Sequence, residues 1–187
     1  MDFELVIRRV VGALEAANVR YALIGGFAMA LRGVQRATMD LDFILMLEDM
    51  RKTDEILRGL GYECFHQSPN VSQYRSPEGD WGRIDILHAF RGPTLGMLKR
   101  AEELPVVSGL KIRVVQLEDL IGLKAQAAVN DPRRETRDWA DIRMMVEASR
   151  EQNRALDWEL IGDYLRIFHL EARLPELRKY HGHSDQN

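Results

Sequence analysis

Apolar positions along the chain keep a helical spacing at first, then a strand spacing, then the two in alternation, and end in a long helical stretch. In residues 3–17 they fall at Phe3, Val6, Ile7, Val10, Val11 and Leu14, which predicts an amphipathic helix. The apolar run 21–24 stops at Gly25-Gly26, and Phe27, Ala28, Met29, Ala30 and Leu31 tolerate a helix, so strand, tight glycine turn and helix follow. Residues 40–45, Asp-Leu-Asp-Phe-Ile-Leu, read as a second strand. Residues 48–60 return to helical spacing, closed by Gly59 and Gly61, and 62–66 read as strand. Segments 71–75 and 82–87 flank Ser76, Pro77, Glu78, Gly79 and Asp80, the chemistry of a turn, and predict an antiparallel hairpin.

Arg91-Gly92-Pro93 breaks that hairpin's second arm. Thr94 is placed to cap a short helix running to about Glu103, and 106–115 is expected to form a further hairpin around Ser108-Gly109 that extends the sheet. From Leu117 the pattern is helical in three stretches: LEDLIGLKAQAAVN, then RRETRDWADIRMMVEA after a turn at Asp131-Pro132, then WELIGDYLRIF. The fold expected is α/β in the α+β sense. A mixed, largely antiparallel sheet with helices on one face fills 1–116, and a helical C-terminal part fills 117–187.

The second strand carries the candidate chemistry. Alternation puts Asp40 and Asp42 on one face, about 7 Å apart, and Leu41, Phe43 and Leu45 on the other. Two carboxylates side by side in an apolar setting repel and raise each other's pKa, so a cation should compensate them. Arg36 could serve as a structural partner; a divalent ion such as Mg²⁺ or Mn²⁺ is the sharper alternative, because it takes carboxylate oxygens together with phosphates. A helix start at Gly25-Gly26 offers unpaired N–H groups to a phosphate, and glycine allows close approach. In residues 83–87, Ile84 and Ile86 share one face and Asp85 takes the other. If that strand lies beside the first, Asp85 completes a three-carboxylate cluster; otherwise it pairs with Arg83 or Arg91.

Composition sets the remaining bounds. The 187 residues with 45% hydrophobic content suit a domain with a genuine core, and a net charge of −3 gives no general attraction to nucleic acid or anionic membrane. Cys64 is single, so it forms no internal disulfide and reads as a buried thiol in a reducing, cytoplasmic setting. No apolar segment has the length of a signal peptide or membrane span, so no membrane partner is expected. His66 and His88 read as packing residues, and His181 to Asn187 as a frayed tail. In the first C-terminal helix, Leu120, Leu123, Ala127 and Ala128 make an apolar stripe with Lys124 at its border. By pattern that lysine is a solvated flank contributing little to folding, and the segment 131–154 a solvated face.

The order Gly-Gly, helix, Arg-x-Thr-x-Asp-x-Asp resembles the nucleotidyltransferase superfamily with the DNA polymerase beta-like palm. Within it the chain is similar to small bacterial members grouped with AbiEii-type toxins and with aminoglycoside and lincosamide adenylyltransferases. The resemblance covers residues from about 21 to 142, and it implies a Gly-Gly turn under a triphosphate, an Asp-x-Asp strand and a later third carboxylate. Gly25, Gly26, Asp40, Asp42 and Asp85 match, and Arg32-Gly33 stands where many relatives have His-Gly. It also implies a Leu-x-x-Leu-x-x-x-Lys helix, a basic turn and a (Lys/Arg)-Asp-x-x-Asp helix, which Leu117, Leu120, Lys124, Arg133, Arg137, Asp138 and Asp141 fit.

On that resemblance Asp40, Asp42 and Asp85 would be catalytic and hold Mg²⁺ or Mn²⁺. Gly25, Gly26, Arg36, Thr38 and Lys124 would bind the NTP, with Asp138 and Asp141 supporting Lys124. The implied reaction is transfer of a nucleoside monophosphate from an NTP to an acceptor hydroxyl with release of pyrophosphate. Three readings stand: a toxin-like enzyme acting on tRNA or a protein, with an antitoxin as partner; an adenylyltransferase of a small-molecule antibiotic, for which further acids lining the pocket would speak; and an inactive nucleotide-binding module.

Overall fold

The computed structural model describes residues 3–38, 40–77, 81–107 and 109–182. The expected turn at Glu78, Gly79 and Asp80, the turn residue Ser108 and the tail 183–187 lie outside them, as does Met39. The described chain forms two compact units, residues 3–31 with 36–116, and residues 32–35 with 117–182.

The first unit is built on a seven-stranded sheet: β1 (Tyr21–Ile24), β2 (Asp40–Met46), β3 (Glu63–Gln67), β4 (Val71–Arg75), β5 (Arg83–Ala89), β6 (Glu102–Val107) and β7 (Leu110–Val114). Their order is β3-β4-β5-β2-β1-β7-β6. The β2/β5 and β1/β7 pairs are parallel and the other four antiparallel, so the sheet is mixed as expected. Position in the sheet explains composition. β1 is flanked on both sides and its four residues are all buried, hence an unbroken apolar run in place of alternation. β6 lies at one end, where Pro105 costs least because its missing N–H need not pair.

One face of the sheet presents Leu41 and Phe43 of β2, Ile84 and Ile86 of β5 and Tyr74 of β4, all at 1% exposure or less. Each such side chain contributes about 1.5–3 kcal/mol by burial. Around the sheet run α1 (Phe3–Ala16), α2 (Gly25–Leu31), α3 (Met50–Gly59) and α4 (Gly92–Arg100). The Tyr74 hydroxyl donates to Asp54 of α3 at 3.0 Å, which places α3 on that apolar face. Two boundaries differ from the expectation. α4 ends at Arg100 and β6 begins at Glu102, because Arg113 of β7 donates to the free carbonyls of Leu98 and Ala101 and closes the helix there. Thr94 sits inside the first turn, exchanging hydrogen bonds with the Arg91 backbone from within the helix.

The second unit contains α5 (Leu117–Asn130), α6 (Glu135–Glu151), α7 (Trp158–Ile167) and α8 (Leu174–Tyr180). α8 precedes the expected tail and has no counterpart in the helices read from the sequence. Its seven residues carry two apolar positions one turn apart, Leu174 and Leu177, too short a pattern to declare itself, and Pro175 starts it. The buried stripe of α5 is Leu117, Leu120, Ile121, Ala125 and Ala128, with Leu123 and Ala127 half-exposed. Gly122 allows α7 to approach: a Cβ there would lie 2.5 Å from the Tyr164 ring, whose hydroxyl donates to buried Asp119 at 2.7 Å. Gly122→Ala raises helix propensity and should still destabilise the protein by roughly 1–3 kcal/mol, because ring and helix must part. Urea unfolding checks this; an unchanged or raised midpoint would show that α5 and α7 tolerate the separation.

Candidate active site

β1 passes into α2 without a loop, and α2 starts at Gly25 itself, two residues before the expected helix. Gly25 has φ +70°, and a Cβ there would lie 2.0 Å from Asp42 Oδ2 and 2.7 Å from Asp42 Cβ. Both backbone and space therefore require glycine. At Gly26 a Cβ would meet Thr38 Cβ at 2.9 Å and Arg36 Nε at 3.5 Å. The glycine pair thus lies against Asp42, Thr38 and Arg36. Thr38 Oγ1 also donates to the Asp40 carbonyl at 3.3 Å, holding the approach to β2.

The strand pairing decides where the third carboxylate goes. β2 and β5 run parallel with Asp42 opposite Asp85 and Asp40 opposite Arg83, so Asp40, Asp42 and Asp85 project from one face of neighbouring strands. Burial raises the Asp85 pKa above the ordinary carboxylate range. Arg83 and a hydrogen bond from Gln73 oppose that rise, and the Asp40 charge adds to it. Gln73 Nε2 donates to Asp85 Oδ2 at 3.2 Å. Asp85 Oδ1 is buried without a hydrogen bond, the Arg83 guanidinium being 3.8 Å away. A buried carboxylate oxygen left over beside two more carboxylates has the donor chemistry that Mg²⁺ or Mn²⁺ takes. Among the described residues no three His, Cys, Asp or Glu side chains are gathered at ligand distance. The residues fit such an ion in donor type and shared face, with the side chains not drawn in around one point.

In the second unit Lys124 departs from its expected surface position. Its Nζ lies 2.8 Å from Asp138 Oδ1 and 2.6 Å from Asp141 Oδ2, both on α6, and its side chain is 14% exposed against 0% and 1% for the two acids. The expected solvated face of 131–154 is corrected at the same place. Asp138 and Asp141 point inward with Ile142 and Met145, while Arg133 and Arg137 stay exposed. Alternating acids and bases hide this by pattern alone, whereas the resemblance pairs Asp138 and Asp141 with Lys124, and both lie on it here.

The other polar candidates resolve simply. His88 is buried, paired with Ser72 Oγ at 2.9 Å and the Pro69 carbonyl at 3.0 Å, a packing role as expected. Cys64 is half-buried where full burial was expected, because β3 ends the sheet and its thiol donates only to the His66 carbonyl, at 3.4 Å. The sequence reading missed Gln73. Its signal was the hairpin register: a turn centred near residue 79 sets position 73 opposite 85.

Residues 90–181 match the family model described as nucleotidyl transferase AbiEii toxin, type IV toxin-antitoxin system. That span contains Lys124, Asp138 and Asp141; the glycine pair and the three aspartates lie before it. No protein of curated function matches the chain in sequence. Among solved structures, the antibiotic-resistance factor ANT(2'')-Ia superposes with a TM-score of 0.67 at 19% identity, over 98% of this chain and 100% of that one. An antigenic nucleotidyltransferase-like protein from Paracoccidioides brasiliensis gives 0.57 at 20%, over 97% and 93%. The lincosamide antibiotic adenylyltransferase LnuA, lincomycin-bound, gives 0.55 at 18%, over 76% and 95%.

Two stability outcomes follow from these environments. Lys124→Met leaves two buried carboxylates without their shared cation and should cost roughly 3–5 kcal/mol; a loss below about 1 kcal/mol in urea would mean the lysine is a dispensable flank. For Asp85 the folded protein holds the proton more tightly than the unfolded chain. Stability is therefore greatest below the ordinary value of 3.8 and falls as pH rises through the window above it. Asp85→Asn should raise the melting temperature at neutral pH, with the gain vanishing in acid. A variant less stable than the parent at pH 7 would overturn the assignment of burial as the dominant influence.

Proposed function

We propose that this chain is a nucleotidyltransferase, moving a nucleoside monophosphate from an NTP to an acceptor hydroxyl and releasing pyrophosphate. The observation that carries the reading is the in-register placement of Asp42 and Asp85 on one face, with Asp40 beside them and Gly25 packed against Asp42. Phosphoryl-type transfer needs positioning and neutralised charge more than covalent help, and these residues supply places for both.

In the proposed assignment Gly25 and Gly26 present backbone to the triphosphate, with no side chain in the way, and Arg36 and Thr38 flank them. Asp40, Asp42 and Asp85 would hold Mg²⁺ or Mn²⁺, which supplies charge neutralisation and a more acidic acceptor hydroxyl. Asp85 acts as general base: its raised pKa suits it to take the hydroxyl proton as the acceptor oxygen bonds to the α-phosphorus and the bond to the pyrophosphate oxygen breaks. Lys124 is held by Asp138 and Asp141 inside the second unit.

The toxin-like form of the reading, with tRNA or a protein as acceptor and an antitoxin as partner in the cytoplasm, is supported by the family model. A second form, adenylyl transfer to a small-molecule antibiotic, is favoured by the likeness to ANT(2'')-Ia and LnuA. An inactive nucleotide-binding module is disfavoured by the three aspartates on one face. Among the described residues no helix is long and apolar enough to cross a membrane.

Incubation of the protein with each α-labelled NTP, Mg²⁺ and cell extract, followed by nuclease and protease digestion of the products, identifies both substrates. Label should enter a macromolecular or small-molecule product with the parent protein. Asp40→Asn should lower the rate at least a hundredfold, with its melting temperature within a few degrees of the parent's. Undiminished labelling by Asp40→Asn would remove this carboxylate from the chemistry.

A further inference from the structure

The face that carries the three aspartates continues past them, across β5 and β4 to β3 at the end of the sheet. Register puts Gln73 opposite Asp85 and Arg75 opposite Arg83, so these side chains share the carboxylate face. On β3 the pairing shifts between Cys64 and His66, which takes Phe65 out of strict alternation. Its ring lies 5.0 Å from the Arg83 guanidinium and 5.6 Å from that of Arg75, and it remains 43% exposed. Beyond Asp85 the carboxylate face therefore becomes an exposed phenyl ring with a guanidinium on each of the next two strands, β4 and β5.

Two features of this platform ask for a ligand. Arginines directly opposite each other across an antiparallel pair repel, and such like-charge pairs destabilise a sheet. Cation–π contact with Phe65, Asp85 at 3.8 Å from Arg83 and Glu63 opposite Arg75 offset part of that cost; phosphate groups at the two guanidiniums would offset more. The second feature is the ring itself, a large apolar surface on a sheet face whose neighbouring groups are charged or polar. An acid on this stretch, Glu63, sits opposite Arg75 on the outermost strand and is exposed. The platform is thus an exposed ring with two arginines, with Asp85 and Glu63 as the acids beside their guanidiniums.

We infer that this outer half of the carboxylate face is a docking surface for a single-stranded nucleic-acid segment, with an unpaired base stacked on Phe65 and backbone phosphates at Arg75 and Arg83. Stacking on an aromatic side chain together with arginine–phosphate contacts is the chemistry by which unpaired strands are held. The platform stands on its own geometry. That the bound strand supplies the acceptor hydroxyl rests on the nucleotidyl-transfer reading, since Arg83 and Gln73 join the platform to Asp85.

The test measures binding of fluorescein-labelled, unstructured RNA and DNA oligonucleotides of matched sequence to the full chain by anisotropy, across a range of salt. The parent protein should bind at least one of the two, and the comparison separates RNA from DNA as the source. Phe65→Ala should weaken binding about five- to a hundredfold, and Phe65→Trp should restore it. Arg75→Ala should lower the slope of log affinity against log salt by about 0.7, the share of one phosphate contact on a single strand. Failure of the parent to bind either strand, or equal affinities for parent and Phe65→Ala, overturns the inference. NTP binding by the same proteins is read separately by calorimetry. Intact NTP binding with no oligonucleotide binding sinks the docking surface and leaves nucleotidyl transfer standing; oligonucleotide binding lost in Phe65→Ala without any NTP binding does the reverse.

Discussion

The site depends on one pairing, the parallel, in-register match of β2 with β5. A slip of one residue between these strands would exchange the faces of β5, turning Asp85 in among Leu41, Phe43 and Tyr74, and Ile84 and Ile86 out to the carboxylate face. What forbids the slip is the alternation on both strands: Leu41 and Phe43 on β2 and Ile84 and Ile86 on β5 are nearly inaccessible, so the apolar face fixes the register that the charged face uses. The hydrophobic core thereby positions the carboxylates, and the electrostatic cost of assembling them is carried by packing on the other side of the same strands.

The turn between β1 and α2 is bound to the same pairing. β1 lies on the other flank of β2 with Ile24 opposite Asp42, so the residue after Ile24 must pass the Asp42 side chain. Only a residue without Cβ, with positive φ, makes that passage. Gly25 is thus specified by Asp42, and Gly26 in turn by Thr38 and Arg36. A strained-looking dipeptide and an acidic strand, far from complementary as isolated sequences, are two halves of one close contact.

Much of the first unit was legible because its strands obey simple rules: alternation in residues 40–45 and 83–87 put the aspartates on faces correctly, and turn chemistry gave the β4–β5 hairpin. Which strands become neighbours was not legible, since nothing local in β2 names β5 as its partner 43 positions on. The residues around Asp85 needed that knowledge, so Gln73 went unseen. In the second unit charge misled. Lys124, Asp138 and Asp141 have the composition of a solvated helix surface, and only the packing of α5 on α6 distinguishes an inward carboxylate from an outward one. Short elements failed for a different reason: α8 has too few turns for a periodicity to emerge.

The wide separation of β2 from β5 along the chain also bears on the order in which the protein assembles. Hairpins such as β4–β5 close over a handful of residues, whereas joining β2 to β5 closes a loop that includes α3, β3 and β4, at a larger entropic cost. The nascent chain can therefore form its local hairpin and helices with Asp85 remote from Asp40 and Asp42. Repulsion among the three enters only as the central strands dock, at a stage when the apolar faces of both strands are already available to offset it.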